Sequence, residues 1–236
     1  MTKRLVVFLH GLGGDAVGTW AQFPELLREE KDVTSRYSEI DSWQYATSAL
    51  GATRSLSEIA HELTNFLNAK IASDAFDEIA FITHSQGGLL ARRYLANVLL
   101  EPRHARKITP VFRLLTFATP HWGAVSEKAG ALVPESRAQQ KALAYDSDFI
   151  LGLNNDWATA DAEEKVWVRR VIAVEDAVVP KFSALGANFQ HDYVVVPGYG
   201  HKDIVKVSAA THPSFEIVKA FLLAPTRHQP ALVTPD

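Results

Sequence analysis

The chain has no cysteine among its 236 residues. Disulfides, thiolate-bound metals and a thiol nucleophile are therefore excluded, and a reducing compartment fits. It also lacks an excess of charge of one sign, since 24 Lys and Arg face 27 Asp and Glu for a formal charge of −3. Without a basic field, nucleic acid is not an expected partner. Long apolar runs are missing too: nothing approaches the ~18–20 residues that span a bilayer. The N-terminal Lys3-Arg4 followed by Leu5–Leu9 begins like a signal peptide, but the run stops at His10-Gly11 and no small-residue cleavage site follows. A buried strand in a soluble, cytoplasmic protein is the expectation. No two of the nine histidines stand at a metal-binding spacing such as H-E-x-x-H, so neither a catalytic metal nor any other cofactor is expected.

What is present is apolar residues in quantity, 47% of the chain, enough for one domain with a large core. Short β-rich runs alternate with amphipathic ones, which predicts an α/β fold: a mainly parallel sheet with helices on both faces. The predicted strands are Leu5–Leu9, Trp43–Thr47, Glu78–Thr83, Arg113–Thr119, Trp167–Val174 and Asp192–Val196. Ser55-Leu56-Ser57-Glu58 is a capping box opening a helix, a second helix follows Ser85, and a third begins near His212-Pro213. The stretch 122–165 is too long for an ordinary connection and is expected to form a small helical cap over the sheet edge, with pieces at Ala138–Leu143 and Asp146–Leu153. Residues 1–224 are expected to form one domain and 225–236 a mobile tail.

The chemistry centres on Ser85. The apolar run Ile79–Thr83 breaks at His84-Ser85-Gln86-Gly87-Gly88 into a helix, the strand–turn–helix of a nucleophile elbow, G-x-S-x-G, with Thr83 at the first glycine. Such a turn lifts a hydroxyl clear of the backbone and points the helix N-terminus at its target. Serine needs a base to take its proton and a carboxylate to orient that base. His201, on the Gly-flanked loop after the last strand, is the candidate base. Asp176, in the turn after Trp167–Val174, is the candidate acid, with adjacent Glu175 as its competitor. The N–H of Gln86 and one from the loop His10-Gly11-Leu12-Gly13-Gly14 would form an oxyanion hole. His84 should point away from the nucleophile's side, His212 should belong to a helix cap, and Asp203 should be a solvated loop charge. His121 is expected to line the pocket or order its loop, with Trp122 and Phe149 also assigned to substrate. Leu132, Val133, Leu143, Phe149, Ile150 and Leu153 could wall an acyl pocket or pack the cap onto the sheet.

In this order the segments His10–Asp15 with Gly18-Thr19-Trp20, Thr83–Gly88, Phe117–Gly123, Asp176–Pro180 and His201–Lys206 resemble the α/β-hydrolase superfamily. Within it they resemble lipase-like serine esterases related to the SERAC1 and PGAP1 groups. The resemblance spans residues 10–206. It implies Ser85 as nucleophile, Asp176 as acid, His201 as base, and the Leu12 and Gln86 N–H groups as oxyanion hole. It further implies a carboxylesterase that forms an acyl-enzyme from short- to medium-chain esters, with a triacylglycerol lipase or phospholipase as the alternative. A hydrolase-like binding or scaffold protein without catalysis is the reading from another class. No extra domain or membrane helix is expected in so compact a chain, so the membrane substrates of the larger relatives are not carried over.

Overall fold

The computed structural model describes residues 2–47, 54–101, 110–124, 137–186 and 192–225. The expected tail beyond Pro225, and Leu132 and Val133 of the expected acyl wall, lie outside them. Six strands form one parallel sheet: β1 (Arg4–Leu9), β2 (Glu39–Trp43), β3 (Glu78–His84), β4 (Val111–Phe117), β5 (Trp167–Ala173) and β6 (Tyr193–Val196). Their spatial order is β2-β1-β3-β4-β5-β6. The strands' period of two divides the core into two layers. Leu5, Val7, Leu9, Ile79 and Phe81 face one layer, and Val6, Phe8, Ala80 and Ile82 face the other.

The first layer is built by α3 (Leu56–Ser73), α4 (Gln86–Leu100), α5 (Arg137–Leu143), α6 (Asp148–Thr159) and α7 (Ala162–Lys165). The second contains α1 (Phe23–Glu29), α2 (Lys31–Arg36) and α9 (Pro213–Leu223), while α8 (Lys181–Leu185) packs beside β5. The capping box is formed: Ser55 Oγ accepts from the Glu58 N–H at 3.2 Å, and the Glu58 carboxylate accepts from the Ser55 N–H at 2.6 Å. Ile150, Leu153 and Trp157 of the expected cap are buried in the same core as α4.

Two strands differ from the sequence reading by more than one residue at an end. The second strand runs Glu39–Trp43 instead of Trp43–Thr47. It is an edge strand, and its Glu39 and Asp41 both pair with Lys70, so polar residues hide its alternation. The fourth strand ends at Phe117 because Ala118 turns to φ 47°, a left-handed conformation that stops the ladder. Inside the second layer Arg113 is fully buried, with Nε 2.8 Å from the Glu78 carboxylate. Its Nη1 donates to the Phe221 carbonyl at 2.9 Å and its Nη2 to that of Ala224 at 3.0 Å. This cluster ties the end of α9 to the middle of the sheet. No described helix is long and apolar enough to cross a membrane.

Candidate active site

At the carboxyl ends of β1, β3, β4 and β5 the chain must turn sharply, and that edge gathers the predicted residues. Ser85 lies between β3 and α4 at φ 51°, ψ −121°, a conformation a non-glycine residue adopts only when its surroundings impose it. Gly87 is the enforcing contact: a Cβ there would stand 2.3 Å from the Leu9 carbonyl oxygen and 2.6 Å from that of His10. Gly88 abuts Thr119, whose hydroxyl donates to the Ser85 carbonyl at 3.0 Å. Thr83, standing where the motif has glycine, fits because it is fully buried on the strand and its hydroxyl donates to the Leu115 carbonyl at 3.1 Å.

The sheet edge brings Ser85, His201 and Asp176 into one hydrogen-bonded line. His201 Nε2 is 3.1 Å from Ser85 Oγ, and His201 Nδ1 is 2.8 Å from Asp176 Oδ2. Asp176 Oδ1 accepts from the N–H groups of Val178 and Val179, both at 2.8 Å, which fixes the carboxylate plane. Burial pushes the Asp176 carboxyl up, but hydrogen bonding and charge from His201, with the two N–H groups, outweigh it and leave its pKa below the ordinary value.

The neighbours take other parts. Glu175, the competing acid, is exposed and accepts from the N–H groups of Gly198 at 2.8 Å and Tyr199 at 3.0 Å, while its own N–H donates to the Tyr199 carbonyl. It clasps the loop that carries His201. His84 is buried, and burial, then the charge of His201, lowers its pKa to about 3. The ring is therefore neutral, and its Nε2 donates to the His201 carbonyl at 2.8 Å, a second tether on that loop. His212 caps α9, its Nδ1 accepting from the Ser214 N–H at 3.2 Å. Asp203 is exposed in the turn after His201.

On the opposite side the loop after β1 comes close to the serine. A Cβ on Gly11 would be 3.0 Å from Ser85 Cβ. His10 anchors this loop by stacking on Tyr45, ring centroids 4.1 Å apart, while the Tyr45 hydroxyl donates to the His10 carbonyl at 2.5 Å. Gln86 occupies the first position of α4, where a helix leaves its N–H without an intrahelical partner.

A cavity of about 40 Å³ opens on Ser85 and His201, walled by Leu12, Pro120, Leu143 and Val179. A groove of about 190 Å³ adjoins it, sharing Leu12, His84 and Lys202. Of the described residues expected in an acyl wall, Leu143, Ile150 and Leu153 all belong to the core, and of these Leu143 also lines this cavity. His121 and Trp122 face a different cavity, and Phe149 packs against the core under the Arg93 guanidinium, 5.7 Å from its ring centre. The backbone explains the difference. Gly123 at φ 89° turns the chain after Pro120, so Pro120 and Ala124 face the serine while His121 and Trp122 do not. Sequence reading missed the tethering by Glu175 and His84; the Glu175-Asp176 pair beside a glycine-rich loop was the available signal. Among the described residues no group of three or more His, Asp or Glu is arranged to hold a metal.

The family described as "Putative serine esterase (DUF676)" matches residues 1–197. No curated protein matches the sequence. Among solved structures, phospholipase PlaB from Legionella pneumophila superposes with a TM-score of 0.77 at 16% identity, over 95% of this chain and 60% of that one. This chain thus spans about 60% of that phospholipase's length. Bacillus licheniformis lipase BlEst2 in mature form gives 0.67 at 13% identity, over 92% and 91% of the two chains. Est1E from Butyrivibrio proteoclasticus gives 0.58 at 17% identity, over 94% and 88%. At these identities the likeness establishes the α/β-hydrolase fold.

Proposed function

The chain belongs to the DUF676 serine esterase family, and from that premise we propose that it is a carboxylesterase hydrolysing short- to medium-chain acyl esters. The hydrogen-bonded line Ser85–His201–Asp176, with its 3.1 and 2.8 Å spacings, is the observation that carries this reading. His201 Nε2 takes the Ser85 proton as Oγ attacks the ester carbonyl carbon. Asp176 holds the ring in the tautomer with Nδ1–H and stabilises the imidazolium. The N–H groups of Leu12 and Gln86 receive the oxyanion, a contact whose loss costs roughly 3–4 kcal/mol per donor where one has been removed. His201 then protonates the departing alcohol, and water cleaves the acyl-enzyme by the same route, regenerating Ser85 and releasing the acid. The small cavity at Ser85 supports the shorter acyl groups.

A lipase or phospholipase is the second reading. The named activities of the phospholipase and lipase neighbours favour it, and the exposed aromatic pair Tyr145 and Phe182, packed edge to face at 6.0 Å, adds apolar surface. Hydrolysis of p-nitrophenyl esters from C2 to C16 separates the two. The first reading expects a maximum at or below about eight carbons, and a maximum beyond ten transfers the assignment to the second. Ser85→Ala should abolish turnover across the whole series, and retained turnover removes both readings.

A further inference from the structure

Behind the Pro120–Gly123 turn lies a second cavity, of about 440 Å³, which shares no lining residue with the pocket at Ser85. Its charged lining is two guanidiniums, Arg92 and Arg170, and three carboxylates, of which only Glu163 is withdrawn from solvent. Arg170 and Arg92 are 3% and 4% exposed, both more than nine-tenths buried. Arg170 Nη2 donates to the Glu163 carboxylate, which also accepts from Trp157 Nε1 at 2.9 Å. Arg92 donates to His121 Nδ1 at 3.2 Å and to Asn154 Oδ1 at 2.9 Å. That leaves Arg170 Nε and Nη1, and Arg92 Nε, buried with no partner among the described residues. The two guanidiniums have Glu163 as their one inner carboxylate, while Asp161 and Glu164 line the cavity in solvent-exposed positions. His121 adds no further positive charge, since burial and then the two arginines hold its pKa well below the ordinary value. A buried guanidinium with free donors is costly unless something completes its hydrogen bonds.

We propose that this cavity binds a small oxyanion, a carboxylate or a phosphate, through the unpartnered donors of Arg170. The guanidinium matches either oxyanion, and Trp122 and Trp157 offer an apolar wall for the body of an organic anion. Neither the site nor its ligand depends on the chemistry at Ser85.

Thermal melting of the full chain with benzoate, inorganic phosphate or chloride at matched ionic strength tests it. At ten times the dissociation constant, benzoate or phosphate should raise the midpoint by about 3–6 °C above chloride. A shift with benzoate alone identifies an organic carboxylate, and one with phosphate identifies a phosphate group. Arg170→Met should weaken binding at least tenfold. Glu163→Gln, which removes the inner counter-charge, should tighten it several-fold and carries the test if Arg170→Met does not fold. No shift beyond chloride, wild-type affinity in folded Arg170→Met, or unchanged or weaker binding in Glu163→Gln overturns the proposal.

Discussion

Glu175 and Asp176 are adjacent carboxylates at the same sheet edge, so exchanging each for its amide separates the proposed orienting of His201 from the holding of its loop. Asp176 touches His201 Nδ1 directly at 2.8 Å. An asparagine there can present an N–H to that nitrogen and favour the wrong tautomer, a change worth about 10⁴-fold in kcat in a comparable triad, or ~5 kcal/mol. Glu175 instead accepts two backbone N–H groups from Gly198 and Tyr199 in an exposed position. Glutamine keeps an acceptor and loses only the charge assistance. Solvent damps that loss to roughly 1 kcal/mol in all, or about fivefold in rate. Steady-state hydrolysis of p-nitrophenyl butyrate by Asp176→Asn and Glu175→Gln, both checked for folding by circular dichroism, reads the difference. Equal losses, a larger loss for Glu175→Gln, or an Asp176→Asn enzyme within tenfold of wild type would refute the division of roles.

Gly87→Ala should force α4 away from the end of β1, because its Cβ would meet backbone oxygens at 2.3 and 2.6 Å. An overpacking cost of about 1–3 kcal/mol lowers the melting midpoint by about 2–12 °C, and an unchanged midpoint contradicts the contact. Glu78→Ala should strand buried Arg113, whose guanidinium it pairs at 2.8 Å. A loss of about 3–5 kcal/mol in urea unfolding is expected, and less than 1 kcal/mol would count against that anchor. His84, with its pKa lowered to about 3 from 6.5, stays neutral in the fold while the unfolded chain takes up a proton below pH 6.5. Its contribution is present above that pH and is lost as pH falls towards 3, by at most ~1.4 kcal/mol per pH unit. The slope of stability between pH 4.5 and 6.5 should therefore be shallower in His84→Gln, and an identical slope would contradict a neutral His84.

The central strands and the residues of the line were legible because each has a local cause. An apolar strand must be buried on both faces, and Ser85 sits at the one place where such a strand breaks into a helix beside glycines. Asp176 and His201 each follow a strand at the same edge of the sheet, so chain order alone put them within reach. What sequence could not supply was direction. His121 and Trp122 follow Pro120, which walls the Ser85 pocket, yet a turn through Gly123 faces them into the other cavity. Strand β2 escaped because Glu39 and Asp41 are satisfied by Lys70, a partner 29 residues beyond Asp41. The tethers from Glu175 and His84 to the His201 loop likewise depend on pairings that no spacing along the chain encodes.

The most direct test of the account is labelling of the purified protein with a fluorophosphonate, read by mass spectrometry of the digested adduct. Only a serine activated by its base reacts quickly with such a probe. Rapid modification confined to Ser85 is expected, abolished by Ser85→Ala and slowed by orders of magnitude in His201→Gln. Labelling at another residue, or a Ser85 that reacts as fast without His201, would contradict it.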